Sequence, residues 1–287
     1  MVKLRNYFKS KAKLKQRLIT AAILIPLVVI AIFKLPTSIL QWCLAGVVVL
    51  AAWEWFAIIG IQSTLQKSVG YIALLASMMV SLLYIIPEAV LSSSALVWLL
   101  ATILIIRFAH IKLPAAIAGL FIDKRFGLIT VILVLVPFWL SAVLLHQSSV
   151  LGPQQLLYVM VAVWLADTGG YFAGKRWGKH KLASEISPNK TWQGVYGALV
   201  LAGIWAGIAY LIDINGELSL LSWLILTLVS VLFSVVGDLF ESLFKRQHQV
   251  KDSGNLLPGH GGILDRVDSL LAAVPVFVIC LTALGAV

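Results

Sequence analysis

Long apolar stretches dominate the sequence and constrain its fold more than any other feature. A helix needs roughly 18–25 mostly apolar residues to cross the hydrocarbon core of a bilayer, and runs of this length recur along the 287 residues. Only 12% of the residues are charged, whereas soluble domains carry about 25%. A transmembrane β-barrel requires alternating segments of about ten residues, and the sequence does not alternate in this way. The sequence therefore predicts an all-α, polytopic integral membrane protein.

About nine transmembrane helices are expected, and the loops between them differ sharply in charge. Their approximate ranges are 18–33, 39–59, 69–86, 94–108, 127–145, 156–172, 194–212, 219–237 and 269–286. If the N-terminus is cytoplasmic, this arrangement puts every Lys and Arg except Lys34 on the cytoplasmic side. Positive charge collects in cytoplasmic loops. We therefore predict a multi-pass protein of the cell (inner) membrane, with its N-terminus in the cytoplasm and its C-terminus outside.

The polar part of the chain is small, and its position suggests how the chain is divided. Residues 1–17 form a basic arm of the kind that anionic lipid attracts. Residues 18–287 form a single membrane domain. Loops at about 173–193 and 238–268 hold most of the other polar residues. We therefore expect the catalytic half at about 156–287, facing the cytoplasm, and no nucleic-acid partner.

Acidic residues at two helix ends carry the clearest chemical signal. Side chains three and four residues apart lie on one face of a helix, and Asp238 and Asp265 each begin such a pattern. The residues that share their faces are Glu241, Ser242 and Lys245 in the eighth span, if it continues as a helix, and Asp268 and Ser269 in the ninth. A turn containing Gly259, Gly261 and Gly262 joins the two spans.

Acids beside bases at a membrane boundary indicate metal-assisted phosphate chemistry. A carboxylate at the edge of the hydrocarbon is costly unless it is paired or bound to a cation. Mg²⁺ takes one or two carboxylates together with substrate phosphate oxygens, and Lys and Arg bind phosphates as well. Loop salt bridges or helix caps would explain Asp252 or Glu241 alone equally well. The pair Asp238 and Asp265 favours a functional site.

The loop after the sixth span holds a second set of polar residues. Asp167 shares a helical face with Tyr171 and Gly174. The segment 187–194, SPNKTWQG, offers hydroxyls, a lysine and a tryptophan that suit the phosphates and base of a nucleotide. The residues assigned to substrate binding here are Asp167, Ser187, Lys190 and Thr191. A tryptophan in this place is equally typical of the aromatic belt at a membrane interface.

Two further polar residues are ambiguous. Glu54 lies inside the second span, where an acid is expected to be paired or to face a cavity. His260 lies between glycines, where it could donate to a phosphate or simply form part of a turn.

Together these motifs resemble the signature of the phosphatidate cytidylyltransferases, also called CDP-diacylglycerol synthases. The signature runs from Ser242-Leu-Phe-Lys245-Arg246 through Lys251-Asp252-Ser253-Gly254 to Pro258-Gly259-His260-Gly261-Gly262-Ile-Leu-Asp265-Arg266-Val-Asp268. The segment Ser187-Pro188-Asn189-Lys190-Thr191-Trp192 resembles a second motif of this family. The chain has Gln193 where the family often has Glu. The basic start, the length and the many spans resemble a bacterial member.

The resemblance implies an enzyme of phospholipid biosynthesis that converts CTP and phosphatidate into CDP-diacylglycerol and pyrophosphate. It also implies dependence on Mg²⁺, room for a second, monovalent cation, and a homodimer. By position, Asp238 and Asp265 match the family's metal-binding acids, and Lys245, Arg246, Lys251, His260 and Arg266 match its phosphate-handling motif. The expected catalytic residues are Asp238, Asp265, Lys245, Arg246, Lys251 and Arg266. The further substrate-binding residues are Ser242, Asp252, His260, Gly261, Gly262 and Asp268.

This reaction agrees with the residues themselves. The lipid phosphate is already an anion, so the barrier lies in bringing two polyanions together and in stabilising the leaving pyrophosphate. Cations and positioning meet that need. Diacylglycerol stays in the membrane and CTP arrives from the cytoplasm, so the site is expected where the spans meet the cytoplasm.

Three other functions are compatible with parts of the sequence. A CTP-dependent lipid-alcohol kinase would share the nucleotide site but would leave CDP instead of pyrophosphate. A lipid or anion transporter predicts inverted repeats or a polar site near the membrane midplane, and the sequence has no repeat. A non-catalytic scaffold does not explain the paired acids. The Asp-rich signature of the CDP-alcohol phosphotransferases is absent from the sequence.

Overall fold

The computed structural model describes residues 2–83, 87–148, 151–257, 259 and 261–286, with side chains described for residue 16 and from residue 19 onward within these ranges. The helices are α1 (Val2–Lys34), α2 (Thr37–Ile58), α3 (Thr64–Leu83), α4 (Pro87–Phe108), α5 (Ala115–Ile122), α6 (Lys124–Gln147), α7 (Gly152–Trp177), α8 (Trp192–Leu211), α9 (Leu220–Gln247) and α10 (Leu264–Ala283). The strands are β1 (Lys181–Ala183) and β2 (Ser187–Thr191), which pair antiparallel.

Most of the fold consists of helices that are long and apolar enough to cross a bilayer. Among the described residues, eight helices meet this condition: α2, α3, α4, α6, α7, α8, α9 and α10. Helix α1 adds a shorter apolar part, Ile19–Lys34. Each predicted span overlaps one of these helices. The prediction of a helical, polytopic membrane protein is confirmed, whereas the count of nine spans and the orientation stay predictions.

The structure adds local elements that the apolar pattern did not reveal. The short helix α5 and the β1–β2 hairpin occupy stretches expected to be loops. Helices α7 and α9 run to Trp177 and Gln247, well past the apolar segments at 156–172 and 219–237. Each has two basic residues in its last turn, and such residues stabilise a helix C-terminus. The polar ends of these two helices carry most of the candidate site.

Asp123 fixes the junction between α5 and α6. Its carboxylate accepts hydrogen bonds from the backbone N–H groups of Phe126 (3.0 Å) and Arg125 (2.7 Å), which caps the start of α6. These two hydrogen bonds hold the pKa of the exposed Asp123 carboxyl below its ordinary value.

The loops gather at two opposite ends of the helices. At one end the backbone N–H of Glu185 in the hairpin donates to the carbonyl of Ala109 after α4 (3.1 Å). At the other end the ring of His146 at the end of α6 lies 2.8 Å from the Ile32 carbonyl and 2.7 Å from the Thr37 hydroxyl. If each predicted span crosses the membrane, both contacts join regions that lie on the same side of it. The end that holds loops 59–63, 109–114, 178–191 and 248–263 is called the site end below.

Small residues bring α7 and α8 into close contact near the site end. A Cβ added to Gly169 would collide with the carbonyl oxygen of Gly197. A Cβ added to Gly197 would lie 2.6 Å from the carbonyl oxygen of Gly169 and would also collide with Ala173. Small residues allow such close backbone approach between membrane helices, and they fix the relative position of α7 and α8.

Aromatic side chains fill the core between the later spans. Tyr158, Trp223 and Phe277, from α7, α9 and α10, form a cluster in which the Tyr158 and Trp223 ring centroids lie 4.5 Å apart. The Tyr158 hydroxyl lies 2.5 Å from the hydroxyl of Thr227, so the buried ring keeps a polar partner. Many other large apolar side chains, such as Ile106, are exposed. Such side chains suit contact with lipid.

Candidate active site

The candidate site begins on the polar end of α9, where the predicted helical face is confirmed. Asp238, Glu241, Ser242 and Lys245 all lie within α9. The Ser242 hydroxyl donates to Asp238 Oδ1 over 3.3 Å, and Lys245 Nζ donates to Glu241 Oε2 over 2.6 Å. The spacing of three, four and seven residues thus produces two contacting pairs along one face.

Lys245 links α9 to α10. Its Nζ lies 2.9 Å from Oδ1 of Asp265, in the first turn of α10, as well as 2.6 Å from Glu241. The exposed fractions of these three side chains are 10% for Lys245, 2% for Glu241 and 11% for Asp265. Two largely buried carboxylates therefore share one buried cation, and removing that cation would leave both carboxylates without a counter-charge.

Backbone amides complete the surroundings of Asp265. The N–H of Ser253 lies 3.2 Å from Oδ1 and 3.1 Å from Oδ2, and the N–H of Gly262 donates to Oδ2 over 2.9 Å. Gly261 has a φ of +87°, and a Cβ there would lie 2.8 Å from Asp265 Oδ2. Glycine is required at this position because its backbone is left-handed and close to a carboxylate. The Gly-rich turn thus wraps the acid instead of standing free.

A cavity of about 530 Å³ opens beside Asp238, between α7, the hairpin, α8 and α9. The polar residues in its lining include Asp167, Lys175, Asn189, Lys190, Thr191 and Asp238. Lys190 Nζ lies 2.7 Å from Asp238 Oδ2. The cavity therefore brings together two sets of polar residues that the sequence analysis treated separately. One is the acidic face of α9, and the other comprises Asp167 and the SPNKTW motif.

The hairpin supplies this cavity with Lys190. Strand β2 pairs with β1 through Lys181 opposite Thr191 and Ala183 opposite Ser187. The Thr191 hydroxyl accepts the N–H of Gly194 over 3.2 Å and caps α8. Ser187 begins the strand and is absent from the cavity lining. The cap and the strand pairing fix the short segment that carries Lys190.

Gln193 has a defined structural role. Its side-chain oxygen accepts the N–H groups of Lys179 (3.1 Å) and His180 (3.2 Å), and its amide nitrogen lies 2.9 Å from His180 Nδ1. Gln193 therefore holds the turn between α7 and the hairpin. A glutamate could accept the same two backbone N–H groups, which explains how either residue can occupy this position.

Asp268 and Arg266 lie close enough to acids of the site to interact with them electrostatically. The Asp268 carboxylate accepts the N–H of Ser269 over 2.6 Å and interacts electrostatically with Asp238 and Glu241. Arg266 is exposed and interacts electrostatically with Asp167. Neither residue is among those that line the cavity, and their assigned roles stay predictions.

Other predicted site residues lie apart from the cavity or outside the described residues. Arg246 donates from Nε to the Ile186 carbonyl over 3.1 Å, so it contacts the hairpin. Lys251 and Asp252 are exposed in the loop after α9. His260 lies outside the described residues. Their assigned roles stay predictions.

Glu54 and Glu241 are two buried acids near the site that the assignment of site residues omitted. Glu54 is 1% exposed, and its carboxylate accepts the Ser253 hydroxyl and the backbone N–H groups of Ile263 and Leu264. Its place inside an apolar span marked it as paired, but the sequence could not identify partners about 200 positions away. Glu241 was visible in the helical spacing and was left open as a salt-bridge residue.

Comparisons with known proteins bear on what this site does. The sequence profile of the cytidylyltransferase family matches residues 15–284. A phosphatidate cytidylyltransferase of Pseudomonas aeruginosa is 42% identical over 275 residues, which cover 95% of this chain and 98% of that protein. A phosphatidate cytidylyltransferase of Haemophilus influenzae is 33% identical over 287 aligned residues, covering 92% of this chain and 97% of that protein. One from Staphylococcus aureus (strain COL) is 43% identical over 164 residues, covering 56% of this chain.

Proposed function

Because the chain belongs to the cytidylyltransferase family, we propose that it is a phosphatidate cytidylyltransferase that makes CDP-diacylglycerol and pyrophosphate from CTP and phosphatidate. An oxygen of the lipid phosphate attacks the α-phosphorus of CTP. The bond between that phosphorus and the bridging oxygen breaks, and pyrophosphate leaves with the electron pair. The lipid phosphate is already ionised, so no strong base is required.

The observation that carries the site assignment is the pairing of Lys190 with Asp238 in one cavity with Asp167. The lining contains two carboxylates and also two lysines, Lys190 and Lys175. An exposed tyrosine, Tyr171, lies next to them. Lysines neutralise phosphate charge, and fixed charges around the reacting phosphates are the main source of catalysis in nucleotidyl and phosphoryl transfer. The volume of about 530 Å³ lies within the range of small-molecule sites.

Lys245 and Asp265 provide a second, more enclosed charge group beside this cavity. Their contact fixes the start of α10 against α9, and the Asp268 carboxyl is close enough to both groups to interact electrostatically with Asp238 and Glu241. We assign Lys190 and Lys175 to the triphosphate and Lys245 to holding the acids in place. The remaining cations of the motif, Arg246, Lys251 and Arg266, stay assigned to the phosphates by resemblance alone.

A magnesium ion suits the donors around the cavity. Asp238 and Asp167 line one cavity and offer hard oxygen ligands, and a cation bound at Asp238 would take the place of the Lys190 ammonium group there. Asp265 directs its oxygens at Lys245 and two backbone amides, so cation binding there requires Lys245 to yield its contact. When bound, Mg²⁺ would neutralise charge on the triphosphate. The second, monovalent cation and the homodimer stay predictions of the resemblance.

The site belongs, in this proposal, to the cytoplasmic face of the inner membrane. The described Lys and Arg side chains other than Lys34 lie at or near the site end, in its loops or at the helix ends beside them. The positive-inside rule puts such an end in the cytoplasm. CTP would then reach the cavity from the cytoplasm while phosphatidate keeps its acyl chains in the bilayer.

The experiment follows the products made from radiolabelled CTP, phosphatidate and Mg²⁺ by the purified protein in detergent. The wild type is expected to form CDP-lipid and pyrophosphate in equal amounts. Asp238→Asn and Asp265→Asn are each expected to lower kcat about 100-fold or more, since each removes a charge from the reacting region. Asp213→Asn, an exposed change at the opposite end, is the matched control and should retain activity.

Two outcomes would contradict the proposal. In a parallel reaction with diacylglycerol in place of phosphatidate, formation of CDP and phosphatidate would identify a lipid-alcohol kinase. Undiminished activity in both Asp→Asn variants would show that the acids of α9 and α10 do not serve the reaction.

A further inference from the structure

Glu54 is a buried carboxylate whose hydrogen-bond partners among the described residues come from one distant segment, residues 253–264. It lies near the end of α2 and is 1% exposed. Its Oε2 accepts the Ser253 hydroxyl (3.1 Å) and the Leu264 N–H (2.8 Å), and its Oε1 accepts the Ile263 N–H (3.1 Å). A buried carboxylate is stable only when such donors replace its lost water. Here three donors between residues 253 and 264 meet that need.

These contacts make Glu54 the cap of another helix. Helix α10 starts at Leu264, and its N-cap residue, Ile263, has no side chain that can accept a hydrogen bond. The first N–H groups of a helix need acceptors, and a negative charge there is favourable. Glu54 supplies the acceptor and the charge from α2, so the start of α10 is tied to a helix over 200 residues earlier in the chain.

The same contacts lead directly to Asp265. The Ser253 hydroxyl, which donates to Glu54, accepts the N–H of Asp265 over 3.3 Å. The Ser253 N–H in turn donates to the Asp265 carboxylate. Ser253 therefore connects the two carboxylates, and displacement of Glu54 would disturb the donors that orient Asp265.

The Glu54 carboxylate leaves no room for a side chain at two glycines of the loop. A Cβ on Gly254 would lie 2.5 Å from Glu54 Oε1 and 2.9 Å from Glu54 Cδ. A Cβ on Gly262 would collide with Glu54 Oε2 and with the Ser253 hydroxyl. The backbone at residue 254 is not left-handed, so contact with Glu54 is the reason why glycine is needed at this position.

We infer that Glu54 is a positioning residue for catalysis: it fixes the Gly-rich loop and the start of α10 so that Asp265 faces Lys245. This inference rests on the proposed function, because Asp265 and Lys245 belong to the site assigned there. Glu54 itself contacts the loop and is not one of the residues that line the cavity.

The first test compares Glu54→Gln with the wild type and with Glu88→Gln, an exposed glutamate in the first turn of α4. Glutamine keeps the size of the side chain but offers one acceptor oxygen and turns an N–H₂ group toward backbone donors. Loss of a partner that orients a reacting group typically costs about 10- to 100-fold in activity. We expect kcat to fall by that factor, with KM for CTP changed less than about threefold, at a temperature well below Tm.

The second test measures coupling between Glu54 and Gly254 through thermal denaturation in detergent. Gly254→Ala should lower Tm by about 3–8 °C, because its new methyl group meets Glu54. In the Glu54→Ala background the same change should cost little, because the colliding atoms are gone. Additive Tm losses in the double variant would overturn the contact and the inference with it.

The two tests separate positioning from a purely structural role and from failure of the proposed function. A Glu54→Gln variant with a lowered Tm and an unchanged kcat would overturn the positioning role. If the wild type makes no CDP-lipid, the proposed function fails, and the Tm measurements still report whether Glu54 holds the loop.

Discussion

Lys245 lies between two carboxylates that have little access to water. Replacing it with methionine keeps most of the length of the side chain but leaves Glu241 and Asp265 without their shared cation. Breaking a buried ion pair in this way costs about 3–5 kcal/mol. We therefore expect Lys245→Met to lower the free energy of unfolding by about that amount and to abolish CDP-lipid formation, as measured by denaturation and by product assay.

The control for this prediction is Lys112→Met, which changes an exposed lysine in the loop after α4. It should alter stability by less than about 0.5 kcal/mol. Adding Glu241→Gln to Lys245→Met should recover part of the lost stability without restoring activity. Full activity in Lys245→Met would contradict the role of this lysine.

Gln193 gives a second prediction at the scale of a residue. Gln193→Glu keeps the oxygen that accepts the N–H groups of Lys179 and His180 and should change kcat less than about threefold, equivalent to about 0.7 kcal/mol. Gln193→Leu removes the oxygen that accepts both N–H groups and should destabilise the turn by about 1 kcal/mol, which thermal denaturation of the two variants would measure. Equal stability of both variants would contradict the role given to the side-chain oxygen.

Individual residues also show what the sequence could and could not predict. The helical spacing identified Asp238, Ser242 and Lys245 as one face, because that relation is local to α9. It could not predict that Lys190 pairs with Asp238 or that Glu54 caps α10. Those pairs join residues far apart in the chain, and their distances depend on how the helices pack.

At the scale of elements, the site depends on the close contact between α7 and α8. Gly197→Ala would push a methyl group against Ala173 and the Gly169 carbonyl, and the backbone atoms there cannot rotate away. Overpacking of this kind typically costs about 1–3 kcal/mol. We expect a lower Tm and a raised KM for CTP, because these two helices form walls of the cavity.

Gly207→Ala is the matched control on the same helix, since a Cβ at Gly207 meets nothing within 4 Å. Alanine favours a helix over glycine by about 1 kcal/mol, so this change should be neutral or slightly stabilising. A cost equal to that of Gly197→Ala would contradict the assigned helix contact.

The elements also show why apolar length predicted the spans better than their ends. A hydropathy pattern ends where the apolar residues end, near residues 172 and 237. Helix α9 continues to Gln247 because its polar side chains find partners at the site end. Helix α7 continues to Trp177, and the basic residues of its last turn, Lys175 and Arg176, favour a helix C-terminus. The β1–β2 hairpin has only eight strand residues and no apolar alternation, so it left no signal above that of a loop.

At the scale of the whole molecule, the contacts at the two ends fix which loops share a side but leave open which side faces the cytoplasm. The positive-inside rule assigns the site end to the cytoplasm. The test uses single cysteines in a background with Cys43→Ala and Cys280→Ala. Glu185→Cys lies in the hairpin at the site end, and Glu217→Cys lies in the exposed loop between α8 and α9.

In cells whose inner membrane is intact, a maleimide that cannot cross it should label the Glu217→Cys variant and spare the Glu185→Cys variant until the membrane is opened. A third variant, Gln16→Cys, tests α1, whose described apolar part is only Ile19–Lys34. If α1 spans the membrane, residue 16 should be protected like residue 185. Labelling at 16 and 217 together would mean that α1 does not cross and that the chain has eight spans. Labelling at 185 alone would show that the protein has the opposite orientation. The cavity would then face away from cytoplasmic CTP, which would contradict the proposed reaction.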